Sequence, residues 1–114
     1  MTTERWIATT PSGHQVRLSE AAWIHKILVS HPEFATAPSC EQQLRLAIED
    51  PEFIVEGWEG EVLSLRWCSS APKGPKHLCV VYREVEPVGF VITAFFVSRY
   101  GKLLRRKIRW RKYP

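Results

Sequence analysis

The chain has 114 residues, 45% hydrophobic and 25% charged, which is room for one domain with a single modest core. Its longest apolar run is about ten residues, too short to span a bilayer, and Met1-Thr2-Thr3-Glu4-Arg5 lacks a signal-peptide core, so a cytoplasmic protein off the membrane is expected. Three cysteines (Cys40, Cys68, Cys79) with no Cys-x-x-Cys pair argue against a disulfide framework, and four scattered histidines (His14, His25, His31, His77) make no zinc signature, so no metal or other cofactor is expected.

The net charge of +4 is uneven. From Lys102 onward come seven basic residues, Lys102, Arg105, Arg106, Lys107, Arg109, Arg111 and Lys112, and no acid; the first 101 residues hold nine basic and twelve acidic groups, a balance of −3. Such a segment suits a polyanion or an acidic partner, or is simply a solvated tail.

In chain order, Arg5–Thr10 and Gln15–Leu18 flank Pro11-Ser12-Gly13-His14 as a small hairpin. Ser19 caps a first helix, with Glu20 favourable to its dipole and Trp23, Ile24, Ile27 and Leu28 on one apolar face. His25 lies about 130° from the centre of that face, and Pro32 ends the helix near Ser30 or His31. Glu33 and Phe34 form a join and Ala35–Pro38 a linker. Ser39 with Gln42 is a capping box for a second helix carrying Leu44, Leu46, Ala47 and Ile48, stopped at Asp50-Pro51.

From Phe53 the period changes to two. Phe53–Trp58, Glu61–Trp67 and His77–Glu84 read as strands, joined by a Glu59-Gly60 turn and a Pro/Gly loop over Ser69–Lys76. Gly89–Val97 is uncharged and rich in β-branched and aromatic residues, which predicts a central strand buried on both faces. Phe90, Ile92, Ala94 and Phe96 would share one side of it, opposite Val91, Thr93, Phe95 and Val97. The fold class is α+β: a hairpin and two helices on one face of a four- to five-stranded, mainly antiparallel sheet. Leu63, Leu65 and Trp67 should meet the helices. Ser64, Arg66 and Thr93 would then lie on an open face, where arginine and hydroxyl groups suit an anion.

Three pieces taken together carry a resemblance: Thr10-Pro11-Ser12-Gly13 with Leu18 and Trp23; His25 with His31-Pro32-Glu33; and Val91-Ile92-Thr93-Ala94-Phe95. With Asp50-Pro51-Glu52 and Val80-Val81, their order resembles the phage- and mobile-element-associated nuclease domains of the barnase–EndoU–colicin–RelE-like (BECR) superfold, over roughly residues 6 to 97. Where many members carry a Tyr-Tyr or Arg-Tyr pair, this chain has Leu65-Arg66-Trp67. The resemblance implies a toxin-like, metal-independent endoribonuclease acting by 2′-hydroxyl attack. His25 would transfer protons, with His31 a second candidate; Arg66 or Arg83 would hold phosphate and Thr93 would position it. His77, at the start of a strand, is left out. RNA (tRNA or mRNA) is the expected partner, contacted also by Arg105, Arg106, Lys107, Arg109, Arg111 and Lys112, with an antitoxin or immunity protein as a second partner. The alternatives are a non-enzymatic RNA binder and a protein-interaction module.

Overall fold

Strands β1 (Glu4–Thr9) and β2 (Gln15–Ser19) close over Thr10–His14. The Thr10 and Gly13 backbone amides bond across that turn, and Gly13 takes a φ of +90° that a side chain would resist. This computed structural model of the chain describes residues 3–36 and 39–113. The Ser19 hydroxyl then accepts the Ala22 amide at 3.0 Å, capping α1 as its sequence predicts. Helix α1 (residues 20–30) widens into a π turn over Trp23–Ile27, where the Leu28 amide reaches the Trp23 carbonyl, and it ends at Ser30 before His31-Pro32. Glu33–Thr36 adds a single helical turn, α2, where a plain join was expected. Of the expected linker, Ala37 and Pro38 lie outside the described residues. Helix α3 (Cys40–Glu49) begins without the expected capping box: Ser39 has helical backbone angles and its hydroxyl makes no cap bond. It stops at Asp50 ahead of Pro51, as predicted.

The remaining strands are β3 (Phe53–Glu56), β4 (Val62–Cys68), β5 (Lys76–Arg83), β6 (Gly89–Val97) and β7 (Ile108–Arg111). They form one seven-stranded sheet in the order β1-β2-β6-β5-β4-β3-β7. β3 to β6 are the expected antiparallel meander, and the short β2–β6 ladder is the parallel pair. The fold is therefore α+β, with more strands than the four or five expected. The extra ones are the N-terminal hairpin, which joins the sheet, and β7, formed by the segment read as a basic tail. Among the described residues no helix is long and apolar enough to cross a membrane.

The helices cover one face. Leu44, Ala47 and Ile48 of α3 and Trp23 and Ile27 of α1 pack there with Val62, Leu78, Val80, Tyr82 and Ala94. Arg5 ties this layer together, its guanidinium forking onto the Glu41 carboxylate at 2.6 and 2.7 Å and reaching Glu20 at 3.0 Å. The side assignment along β4 is the reverse of that predicted. Val62, Ser64 and Arg66 face the helices, and the Ser64 hydroxyl is satisfied by the Ala47 carbonyl of α3 at 2.5 Å. Leu63 and Leu65 occupy the other face with Val55, Cys79 and Val81. That second face is not open either: the 3-10 turn Tyr100–Arg105 and Ile108 fold back over it through Tyr100, Leu103 and Leu104.

β6 was expected to be the strand buried on both faces, yet β5 holds that position, with six consecutive buried residues, His77 to Tyr82. A bulge in the β5–β6 ladder also breaks the predicted alternation of β6. Tyr82 pairs with Val91 and Val81 with Thr93, so Val91 joins Ala94 and Phe96 on the helical side while Ile92 turns to the second core. Gly89 opens this strand because a Cβ there would collide with the Arg83 carbonyl.

Candidate functional site

The five residues expected to carry catalysis are dispersed. His25 is exposed on the π turn of α1. His31 is half-buried at the end of that helix, its Nδ1 3.5 Å from Glu33 and its ring beside Phe34 and Phe95. Thr93 lies mid-strand on the second face, opposite Val81. Arg83, at the far end of β5, donates to the Glu59 carbonyl at 2.9 Å and sits 3.8 Å from the Glu61 carboxylate. Arg66 lies on the helical face, so it does not share a face with Thr93 as expected. Among the described residues no hydrogen bond or ion pair joins any two of the five.

A denser polar cluster forms where the start of β3 meets the end of β4. The backbone of Glu52 is held from both sides: its amide donates to the Leu65 carbonyl, and its carbonyl accepts the Lys112 amide at 2.9 Å. The side chain is thereby aimed at the sheet end. Oε1 of Glu52 accepts the Trp67 amide at 2.8 Å and meets Nε2 of His77 at 3.1 Å, while Oε2 makes no hydrogen bond to the described residues. His77 pairs with Trp67 across β4–β5, and its side chain is only 8% exposed. The Tyr100 ring lies 3.9 Å from the imidazole and the Trp67 ring 5.1 Å from it. Burial holds the His77 pKa below its ordinary value, and Glu52 pulls the other way. The Nε2–H of the imidazole donates to the Glu52 carboxylate.

In front of Glu52 opens a recess of about 240 Å³ lined by Glu52, Arg66, Trp67, Lys112 and Tyr113. Trp67, expected in the helical core, is 47% exposed here, and Tyr113 is exposed beside it. The Arg66 guanidinium donates through Nη1 to the Asp50 carbonyl and carboxylate at 2.6 and 2.9 Å, while its buried Nε has no partner. Lys112 reaches the same carboxylate at 3.0 Å. Lys112 first, then Arg66, hold Asp50 below the usual carboxylate range. Two acids thus balance two cations at rest. An anion entering the recess gains them only by taking Lys112 from Asp50, an exposed pair of the kind worth about 0–1 kcal/mol.

The C-terminal basic residues are part of the sheet edge rather than a tail. Arg106 donates to the Glu56 and Gly57 carbonyls, Lys107 approaches Glu56, and Arg109 pairs with Glu84 at 2.6 Å. Arg105 and Arg111 are exposed and carry no partner among the described residues.

Exposed rings, cations, and a carboxylate with one free oxygen are suited to stacking bases, holding phosphate and accepting a proton. His77 and Glu52 were not singled out from sequence, although strand alternation from Cys79 and Val81 places His77 on their face. Glu52 carried no signal beyond Asp50-Pro51-Glu52. No protein-family model, curated protein or solved structure matches this chain.

Proposed function

We propose that the chain is a metal-independent, toxin-like endoribonuclease of the BECR, RelE-like kind, working from the recess beside Glu52. The observation that carries this reading is Glu52 itself. One carboxylate oxygen is fixed by the Trp67 amide and the buried His77, the other makes no hydrogen bond to the described residues, and Glu52 lines a recess with two aromatic rings and two cations. Bases stack on Trp67 and Tyr113, and Arg66 and Lys112 face the phosphate. Oε2 takes the proton of a ribose 2′-hydroxyl, whose oxygen attacks the adjacent phosphorus. The bond to the 5′-oxygen breaks as that oxygen takes a proton from solvent water, leaving a 5′-hydroxyl and a 2′,3′-cyclic phosphate, and Oε2 gives its proton back to solvent. His77 acts through Glu52 by keeping its carboxylate oriented. Proton transfer falls to Glu52 in this reading instead of His25. An antitoxin or immunity protein would act by covering the recess.

The test is RNA incubated with the protein in EDTA, with products analysed for cyclic phosphate. Wild type should cleave, Glu52→Gln should be slower by ~10²–10⁴-fold, and His25→Ala should match wild type. Cleavage lost in His25→Ala and kept in Glu52→Gln would return the chemistry to α1. RNA bound but left intact by wild type would refute the enzyme and leave a binding module.

A further inference from the structure

At the opposite end of β3 from the recess, the chain spends several interactions on holding an exposed tryptophan still. Trp58 is 67% exposed, yet its backbone amide is bonded by the Glu61 carboxylate, which also accepts the Glu59 amide at 3.0 Å. The neighbouring Gly57 amide donates to the Glu61 carbonyl at 2.7 Å. One face of the indole is covered by the Arg106 guanidinium, whose Cζ lies 4.2 Å from the ring centroid. Arg106 is itself fixed by the Glu56 and Gly57 carbonyls at 2.6 and 2.5 Å. An exposed apolar ring held this firmly contributes little to the core, and its free face is ready for a flat partner.

The charges around it decide what that partner is. Glu56 is answered by Lys107 and Glu61 by Arg83, while the Glu59 side chain has no partner among the described residues. A phosphate would meet Glu59, whereas an uncharged ring would not. From Arg106 to Lys112 the edge then carries the exposed Lys107, Arg109 and Arg111, with the Trp67–Tyr113 recess at its far end. The strand between the two ends spans about 15 Å at ~3.3 Å per residue.

We propose that Trp58, backed by Arg106, is a second nucleobase-stacking site, and that single-stranded RNA seated in the recess runs along the β7 edge to reach it. This rests on the reading of the recess as an RNA site, and adds to it a minimum substrate length. A dinucleotide fills the recess alone; a strand of about four nucleotides or more, the lower end of single-strand site sizes, engages both ends.

The experiment is a binding titration of the full chain with a fluorescein-labelled oligouridylate dinucleotide and with a longer oligouridylate. Trp58→Ala should weaken the longer strand by about 5- to 150-fold, the range for one stacked base, and leave the dinucleotide unchanged, whereas Trp58→Tyr should keep most of the affinity. Thermal melts of the variants should match wild type, since the indole is outside both cores. If Trp58→Ala binds the longer strand as wild type does while Trp67→Ala weakens both, the second site is wrong and the recess stands. If wild type binds neither oligonucleotide, the recess reading fails and the second site with it.

Discussion

The two faces of the sheet are built differently. The helical face is sealed by α1 and α3 with fully buried aliphatic side chains; the Ser64 hydroxyl there is satisfied by Ala47, while the Tyr82 hydroxyl and Arg66 Nε are buried without a partner among the described residues. The second face is covered by a 3-10 turn whose Tyr100, Leu103 and Leu104 are only half-buried, and at its end a buried histidine is tied to a carboxylate that reaches solvent. Most of the buried side chains belong to the first. The polar recess lies at the rim of the second, where a thin cover leaves a polar group both held and reachable.

This contrast is broken most easily through stability. Ile48→Ala, at a fully buried position of α3, should cost about 2–5 kcal/mol. Leu104→Ala, half-buried in the 3-10 turn, should cost clearly less. Equal losses in denaturant titrations would mean that both faces bear the fold alike. Trp67→Ala comes next. A tryptophan in the helical core would cost about 3–5 kcal/mol. Exposed as it is, Trp67 should cost about 1–2 kcal/mol, and a loss at the higher figure would put its ring back in a core.

The smallest expected effect is in pH. His77 has its folded pKa below the unfolded value near 6.5, so the unfolded chain takes up a proton that the folded one resists. Its contribution is therefore absent above about pH 6.5 and becomes destabilising as pH falls through that value toward the folded one. In melts recorded across this window, His77→Gln should lose part of the acid slope. An unchanged slope would mean that the imidazole is not held neutral by burial.

Much of the helical half was legible in the sequence. Ser19, the Trp23/Ile27 spacing, and the Asp50-Pro51 stop each mark a local event, and local events are what a sequence prints. The faces of β4 were not legible, because Val62, Leu63, Ser64 and Leu65 are all buried and alternation cannot say which side meets a helix. Ser64 looked solvent-facing only because its partner, the Ala47 carbonyl, is distant in sequence. The β6 bulge shifted its register for the same reason: a ladder irregularity depends on the partner strand. In β7 the density of charge concealed an alternation of polar and apolar residues, Lys107-Ile108-Arg109-Trp110-Arg111, that marks a strand, while a bulge against β3 sends Ile108 and Trp110 to opposite cores, which no alternation shows. The recess joins Glu52, Arg66 and Lys112 across a long span of chain, so no motif could announce it.

The most direct measurement follows the four histidine imidazoles by NMR while a short oligouridylate is titrated into the full chain. His77, behind Glu52 and against Trp67 and Tyr100, should titrate below the ordinary histidine value in the free protein and change its shift as the strand fills the recess. His25, exposed on α1, should stay where it is. A response at His25 with His77 silent would contradict the account and move the site to the helical side of the molecule.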